Sequence, residues 1–298
     1  MTKNKINILQ KIIWATRMKS LAVSVSGVLI GTAMAFGDGI YHLPTAGICL
    51  LCTICIHLGT NMINDYCDFQ RGVDNPKNLG PKSVIQAGFI RPEIIKNIAS
   101  VLFFVAFLLG LLLVYRGGWP IAIIGIFSLL AGIFYTAGKN PLGYLGLGDV
   151  LVLIFFGPVM VAGTYYVQSL EMNLAVFLSG IPPGLLAMSV LIVNNIRDKD
   201  NDKKFGKNTL IVKFGKRFGQ WEYCLAVLIA ILMPVGLYVL MQDHQGILMT
   251  VVMMFLFIRN IIKVFDPKAT SAELNKVLSL TGLFSFLYAI LFSLGWVL

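Results

Sequence analysis

The chain has 298 residues, of which 57% are hydrophobic and only 13% charged, with a mean hydropathy of +0.81. Soluble domains carry roughly 25% charged residues, so this composition excludes a soluble globular protein. It leaves a polytopic membrane protein, whose counting unit is a bilayer span of about 20 apolar residues. Nothing in the net charge of +10 points to nucleic acid; its placement follows the membrane and suits contact with anionic lipid or phosphate.

In chain order, residues 1–19 form a basic leader with Lys3, Lys5, Lys11, Arg17 and Lys19. Within it Ile6, Leu9, Ile12, Ile13 and Trp14 alternate with cations, which predicts an interfacial helix over 6–18. The run from Leu21 to Ala33-Met34-Ala35 mimics a secretory signal. It is read instead as a first span, because cleavage would discard Arg17 and invert the spacing of the later charges. With it, nine apolar segments are read, at roughly 20–37, 44–64, 95–115, 119–138, 148–167, 173–195, 221–241, 246–265 and 277–297. They predict an all-α bundle in a single polytopic domain spanning 1–298. Cys49, Cys52 and Cys55 mimic an iron–sulfur spacing but lie inside an apolar helix and lack a fourth ligand. His42, His57 and His244 are scattered, so no zinc site is visible. No G-x-x-x-x-G-K-[ST] or G-x-G-x-x-G loop is present, which argues against an ATP-driven pump or a nucleotide enzyme.

With nine spans, every cation among the 24 except Arg116 falls on one side. The positive-inside rule puts that side, and the N-terminus with it, in the cytoplasm and the C-terminus outside.

Two acidic clusters sit at the cytoplasmic ends of spans two and six. The first is Asn61-Met-Ile-Asn64-Asp65-Tyr-Cys-Asp68, with Asp74 beyond; the second is Asn194-Asn195-Ile-Arg-Asp198-Lys-Asp200-Asn-Asp202. At about 3.6 residues per turn, Asn61, Asp65 and Asp68 share one helix face, as do Asn194, Asp198 and Asp202. Carboxylates near membrane depth cost about 2.5–3.5 kcal/mol each, so they rarely persist without partners. Two facing sets of hard oxygens suit a divalent cation, usually Mg²⁺, shared with substrate phosphates. Each cluster precedes a long loop with glycine and lysine, Arg71 to Arg91 and Lys203 to Gly219, and loops of that length are often functional lids. A cation-coupled transporter is the rival from another class, but it would hold its carboxylates near mid-membrane on broken helices.

These residues resemble the UbiA-type intramembrane prenyltransferases, which carry an N-x-x-x-D-x-x-(x)-D cluster after helix two and another after helix six of a nine-helix bundle. The resemblance covers essentially the whole chain. Its nearest branch acts on 1,4-dihydroxy-2-naphthoate. The stretches that carry it are Asn64-Asp65-Tyr66-Cys67-Asp68-Phe69 to Asp74, Tyr135-Thr136-Ala137-Gly138 through Pro141 to Asp149, Phe155-Phe156-Gly157-Pro158 through Gln168, and Gly206-Lys207-Asn208-Thr209-Leu210. The third acid of the first motif departs from the family pattern by standing at Asp74.

The resemblance implies transfer of a polyprenyl group from an allylic diphosphate to an aromatic acid, in a bacterial cytoplasmic membrane. It implies that Asp65, Asp68, Asp198 and Asp202 hold Mg²⁺ with help from Asn61 and Asn194. Asn64 and Tyr135 would line the substrate site, and Arg17, Lys82, Lys139 and Lys207 are candidates for the diphosphate clamp. Lys139 stands four residues after Tyr135, which predicts a shared helix face. Asp149 either faces the acceptor or simply complements the dipole of its helix. Acceptors such as 4-hydroxybenzoate or homogentisate stay open beside the naphthoate.

The charge split makes a direct prediction. Cysteines introduced near Asn78 and Lys204 label from the cytoplasm, and one near Asp243 labels from outside. Labelling near Asn78 from outside overturns the orientation.

Overall fold

A computed structural model describes residues 18–73 and 83–298. The elements are α1 (Met18–Gly37), α2 (Leu43–Gln70), α3 (Pro92–Gly117), α4 (Trp119–Phe134), α5 (Gly148–Phe156), α6 (Pro158–Ser169), α7 (Leu174–Ser179), α8 (Ile181–Lys204), α9 (Leu210–Phe214), α10 (Lys216–Met241), α11 (Met253–Phe265) and α12 (Ser271–Val297). Short 3-10 turns cover Leu142–Tyr144 and Gln245–Val252. Among the described residues, eight helical stretches are long and apolar enough to cross a bilayer, and α4 is a shorter ninth. The nine-span reading therefore holds. The interfacial helix expected over 6–18 falls almost wholly outside the described residues.

The boundaries differ from expectation where the clusters lie. Span two continues to Gln70 and span six to Lys204, beyond the 64 and 195 read from hydropathy. The acids thus sit on the helices themselves, because Asp and Asn end the apolar run without ending the backbone ladder. Span four stops early, at Phe134 rather than 138. Gly138 turns left-handed at φ 92, and Pro141 disfavours helix in the residue before it.

Spans five and six are each two helices, broken at Gly157-Pro158 and at Gly180. A Cβ at Gly157 would meet the Gly180 carbonyl at 2.5 Å, and one at Gly180 would meet Pro158 Cα at 2.5 Å. The two spans therefore touch backbone to backbone, the close approach that small residues permit in membranes. This crossing sets α5 against α8, the two helices that carry Asp149 and the second cluster.

The main core joins Ile30 and Met34 of α1, Tyr165 of α6, Leu186 and Ile192 of α8, Tyr223 and Ile231 of α10, Phe257 of α11 and Phe292 of α12. Met34 and Ala35 of the signal-like stretch are fully buried in it. The stretch Leu174–Lys204 is the most enclosed of the spans and Pro92–Gly117 the least. Lipid-facing positions such as Phe104, Leu112 and Ile126 stay exposed. At the end opposite the clusters, Arg116 donates to the carbonyls of Val167 and Gln168 at 2.6 and 2.9 Å. The lone cation of that side thus caps the last turn of α6.

Filling the crossing has a calculable cost. Gly180→Leu forces backbone apart and lowers stability by about 1–3 kcal/mol, read as a lower thermal midpoint in detergent. Gly47→Leu, where a Cβ meets nothing within 4 Å, leaves the midpoint unchanged.

Candidate functional site

The site begins with the face of α2. Asp65 is buried at 5% exposure. One turn on, the Asn64 amide donates to Asp68 at 3.2 Å, and the Tyr144 hydroxyl donates to the other Asp68 oxygen at 3.1 Å. The Thr136 hydroxyl donates to Asn64 at 2.7 Å. Arg71, at the end of α2, donates to the carbonyls of Thr136 and Gly138 at 2.8 and 2.9 Å, and its guanidinium lies 4.8 Å over the Tyr144 ring. The turn after α4 is thereby folded back over the first cluster. Deeper on the same face, the Asn61 amide meets His57 Nε2 at 2.9 Å, and His57 bridges to Ser20 and Ser24 of α1 at 3.0 and 2.5 Å.

The second cluster lies on α8. Arg197 grips Asp198 through two bonds of 2.8 and 2.5 Å and also donates to Asn194 and to Asn275 of α12. Its side chain is only 5% exposed, so the guanidinium fork offsets a partly buried carboxylate in the geometry that suits it. Asp202 is buried, with the Lys207 ammonium 3.5 Å from one oxygen and no hydrogen-bond partner for Oδ2. Asn195 Oδ1 is likewise buried and unpartnered.

The clusters meet at Lys207. Burial presses its pKa down, but Asp202 and then Tyr135, Asp68 and Tyr144 outweigh it and hold the ammonium above its ordinary value. Tyr135 is pushed up to about 12 by burial, with Lys207 opposing and Asp149, Asp202 and Asp68 reinforcing. Tyr144 is raised to about 12, by burial first and Asp68 second. Both phenols stay neutral donors, and the lysine stays a cation. A Cβ at Gly148 would stand 2.9 Å from the Tyr135 hydroxyl, so only glycine lets that ring lie against the start of α5. The two loops are stitched by Asn208 N donating to the Tyr144 carbonyl at 2.9 Å and Lys213 Nζ to Leu145 at 2.8 Å.

Of the expected residues, Asn61, Asn64, Asp65 and Asp68 share one helix end, Asn194, Asp198 and Asp202 another, and Tyr135, Asp149 and Lys207 lie where the two meet. Arg17, Lys82 and Asp74 lie outside the described residues. The face expected for Tyr135 and Lys139 is not formed. The helix has ended at Phe134, Tyr135 turns inward, and Lys139 is exposed in the turn. Sequence reasoning missed Arg71, Arg197 and His57. The first two were counted only as topological charges, although a cation directly before Asp198 was a signal. His57 stands four residues before Asn61, on the face already singled out.

Among the described residues, no three His, Cys, Asp or Glu side chains converge as a protein-built metal cage would require. Mg²⁺ usually takes only one or two carboxylates, completing its shell with water and phosphate. The donors present are hard oxygens, and Asp202 Oδ2 is buried without a partner. The residues fit such an ion.

The sequence signature of the UbiA prenyltransferase family matches residues 24–290. The chain belongs to that family. As a UbiA-family member it is 35% identical to the 1,4-dihydroxy-2-naphthoate octaprenyltransferase of Haemophilus influenzae, over 99% of this chain and 98% of that one. It is 34% identical to the enzyme of the same name from Escherichia coli, over 82% and 81% of the two chains. Its fold matches a UbiA homolog from Archaeoglobus fulgidus solved with GPP and Mg²⁺, with a TM-score of 0.64 and 17% identity over 96% and 99% of the two chains.

For this UbiA-family protein the raised pKa values fix a pH dependence. Lys207, Tyr135 and Tyr144 all hold their protons more tightly when folded. Their contribution to stability is complete below the unfolded values of about 10 and is lost as pH rises beyond them. The thermal midpoint in detergent stays level from about pH 7 to 9 and falls above about 10. Tyr144→Phe makes that fall shallower.

Proposed function

We propose that this chain transfers a polyprenyl group from an allylic polyprenyl diphosphate to 1,4-dihydroxy-2-naphthoate, releasing diphosphate and CO₂ and leaving a prenylated hydroquinone in the membrane. The observation that carries the reading is the meeting of acidic helix ends from spans two and six at Lys207, in a chain aligned end to end with a naphthoate prenyltransferase. The fatty donor tail suits a bundle whose outer faces are hydrocarbon, and its charged head suits the polar end.

Asp65, Asp68, Asp198 and Asp202, with Asn61 and Asn194, would hold Mg²⁺ at the head group. When bound, the ion acts as a Lewis acid, drawing charge onto the leaving diphosphate. Lys207 supplies a fixed positive charge beside it, with Arg17 and Lys82 as further candidates for the clamp. Tyr135 and Tyr144 remain neutral and donate hydrogen bonds without competing as bases. Arg71 and Arg197 act as positioning residues, Arg71 by folding the 135–138 turn over the first cluster and Arg197 by anchoring Asp198. The breaking allylic C–O bond leaves a carbocation-like carbon, which aromatic faces such as Tyr144 stabilise. The naphthoate is alkylated at the carbon bearing its carboxylate, and loss of CO₂ restores aromaticity. The distribution of cations supports a bacterial cytoplasmic membrane with the N-terminus and the acid clusters facing the cytoplasm.

Asp65→Asn and Asp198→Asn keep shape while removing an anionic oxygen, and turnover falls by about two orders of magnitude or more in each. Chelation of Mg²⁺ does the same to the parent. With carboxyl-labelled naphthoate, one labelled CO₂ is trapped per prenyl transferred. Prenylated 4-hydroxybenzoate that retains its carboxylate, with no turnover of the naphthoate, means a different acceptor.

A further inference from the structure

Besides Asp202 Oδ2, the hydrogen-bonded network leaves two further buried carboxyl oxygens without a partner. Asp149, in the first turn of α5, is 2% exposed, and its Oδ1 has no hydrogen-bond partner. Glu222, in the second turn of α10, has a buried and equally unpartnered Oε2. Glu222 lines a groove of about 430 Å³ with Leu185 and Met188 of α8 and Trp221, Leu225 and Ile229 of α10. Trp221, Leu225 and Ile229 are exposed on the outer face of the bundle, so the groove opens towards lipid. Glu222 lies within electrostatic reach of Asp149. Asp149 is in turn within reach of Tyr135 and Lys207. Each group is thus within electrostatic reach of the next, Glu222 on the groove of Asp149, and Asp149 of Tyr135 and Lys207 at the head-group site.

The chemistry of that line selects its occupant. An acyl or prenyl chain satisfies the walls but offers no donor to the two orphaned oxygens, and a buried acceptor without a donor is costly. A metal ion finds no further oxygen ligands among Leu, Met and Trp. A small inorganic anion offers no apolar surface to the walls of the groove. A flat apolar ring bearing hydroxyl groups meets both requirements.

The geometry points to a lateral acceptor passage between α8 and α10, in which a hydroxylated aromatic ring arrives from the bilayer past Glu222 and donates a ring hydroxyl to Asp149 at the reaction position. This rests on the reading of the acceptor as a dihydroxy aromatic acid, whose carboxylate then points to the cationic side at Lys207. Asp149 becomes a specificity-determining residue, choosing a ring with two hydroxyls over a ring with one. A site built to accept from a substrate hydroxyl strongly rejects an analogue that lacks it.

The test uses the full chain in lipid nanodiscs, with a polyprenyl diphosphate and either 1,4-dihydroxy-2-naphthoate or 1-hydroxy-2-naphthoate. Asp149→Asn raises the acceptor KM about tenfold or more and shrinks the preference for the dihydroxy ring by a similar factor. The donor KM stays within about twofold, a split that a merely structural defect does not produce. Leu225→Trp fills the groove from its exposed side and also raises the acceptor KM alone; at this surface position it tests the passage even where Asp149→Asn fails to fold. Parental acceptor KM in Leu225→Trp means a groove filled by lipid only and overturns the passage. A parental hydroxyl preference in Asp149→Asn overturns the role of Asp149. A parent that prenylates another acceptor but not the naphthoate overturns the functional reading and this inference with it, whereas normal parental turnover with unaltered variants overturns the inference alone.

Discussion

Charge brought close to hydrocarbon must find a counter-group, and the polar end of this bundle is arranged around that requirement. Moving an ion out of water costs several kcal/mol even after relaxation, and removing one partner of a buried pair leaves the other uncompensated. Asp198 is therefore gripped by Arg197, which is itself held by Asn275 from the last helix. Asp202 is matched by Lys207, and Asp68 takes hydrogen bonds from Asn64 and Tyr144. Much of the local architecture brings these partners within reach. The loop after α8 returns by Lys207 N donating to the Asp202 carbonyl, and the turn after α4 is drawn in by Arg71. A helix-capping accident would not recruit partners from so many elements.

The same arrangement divides the work between two solvents. The polar end supplies charge, neutral donors and orphaned oxygens, while the outer faces of α3, α4 and α10 offer chiefly hydrocarbon. A donor with a charged head and an apolar tail matches both, and its two products separate along the same boundary. Diphosphate belongs to water, and the prenylated ring belongs to lipid. A soluble enzyme would have to enclose the tail; a bundle with hydrocarbon outer faces can share that task with the bilayer.

Much of this was legible in the sequence because the signals were periodic or costly. Apolar runs of bilayer length gave the spans, and acids at their ends stood out because such residues are rare at that depth. Helical spacing correctly put Asn61, Asp65 and Asp68 on one face, since the α2 ladder continues through them. It failed for Tyr135 and Lys139, where Gly138 and Pro141 stop the helix and turn the two side chains apart. Arg71 and Arg197 were hidden by their own abundance, because a cation near a membrane surface reads first as a topological anchor. The breaks at Gly157 and Gly180 were invisible to hydropathy, which sees an unbroken apolar run and cannot see two backbones in contact. Glu222 sat in plain view within a span, but only the structure brings it near Asp149.

The short fourth span has a geometric consequence of its own. Sixteen helical residues rise about 24 Å, whereas the hydrocarbon slab is about 30 Å thick. The residues after Phe134 therefore complete the crossing without a helical ladder, and their backbone groups need partners from elsewhere. Arg71, just past the end of α2, takes the Thr136 and Gly138 carbonyls, and Asn208 N, past the end of α8, takes the Tyr144 carbonyl. A short span also thins or dimples the surrounding lipid, so a headgroup carried at the ordinary interface needs little vertical displacement to reach this turn.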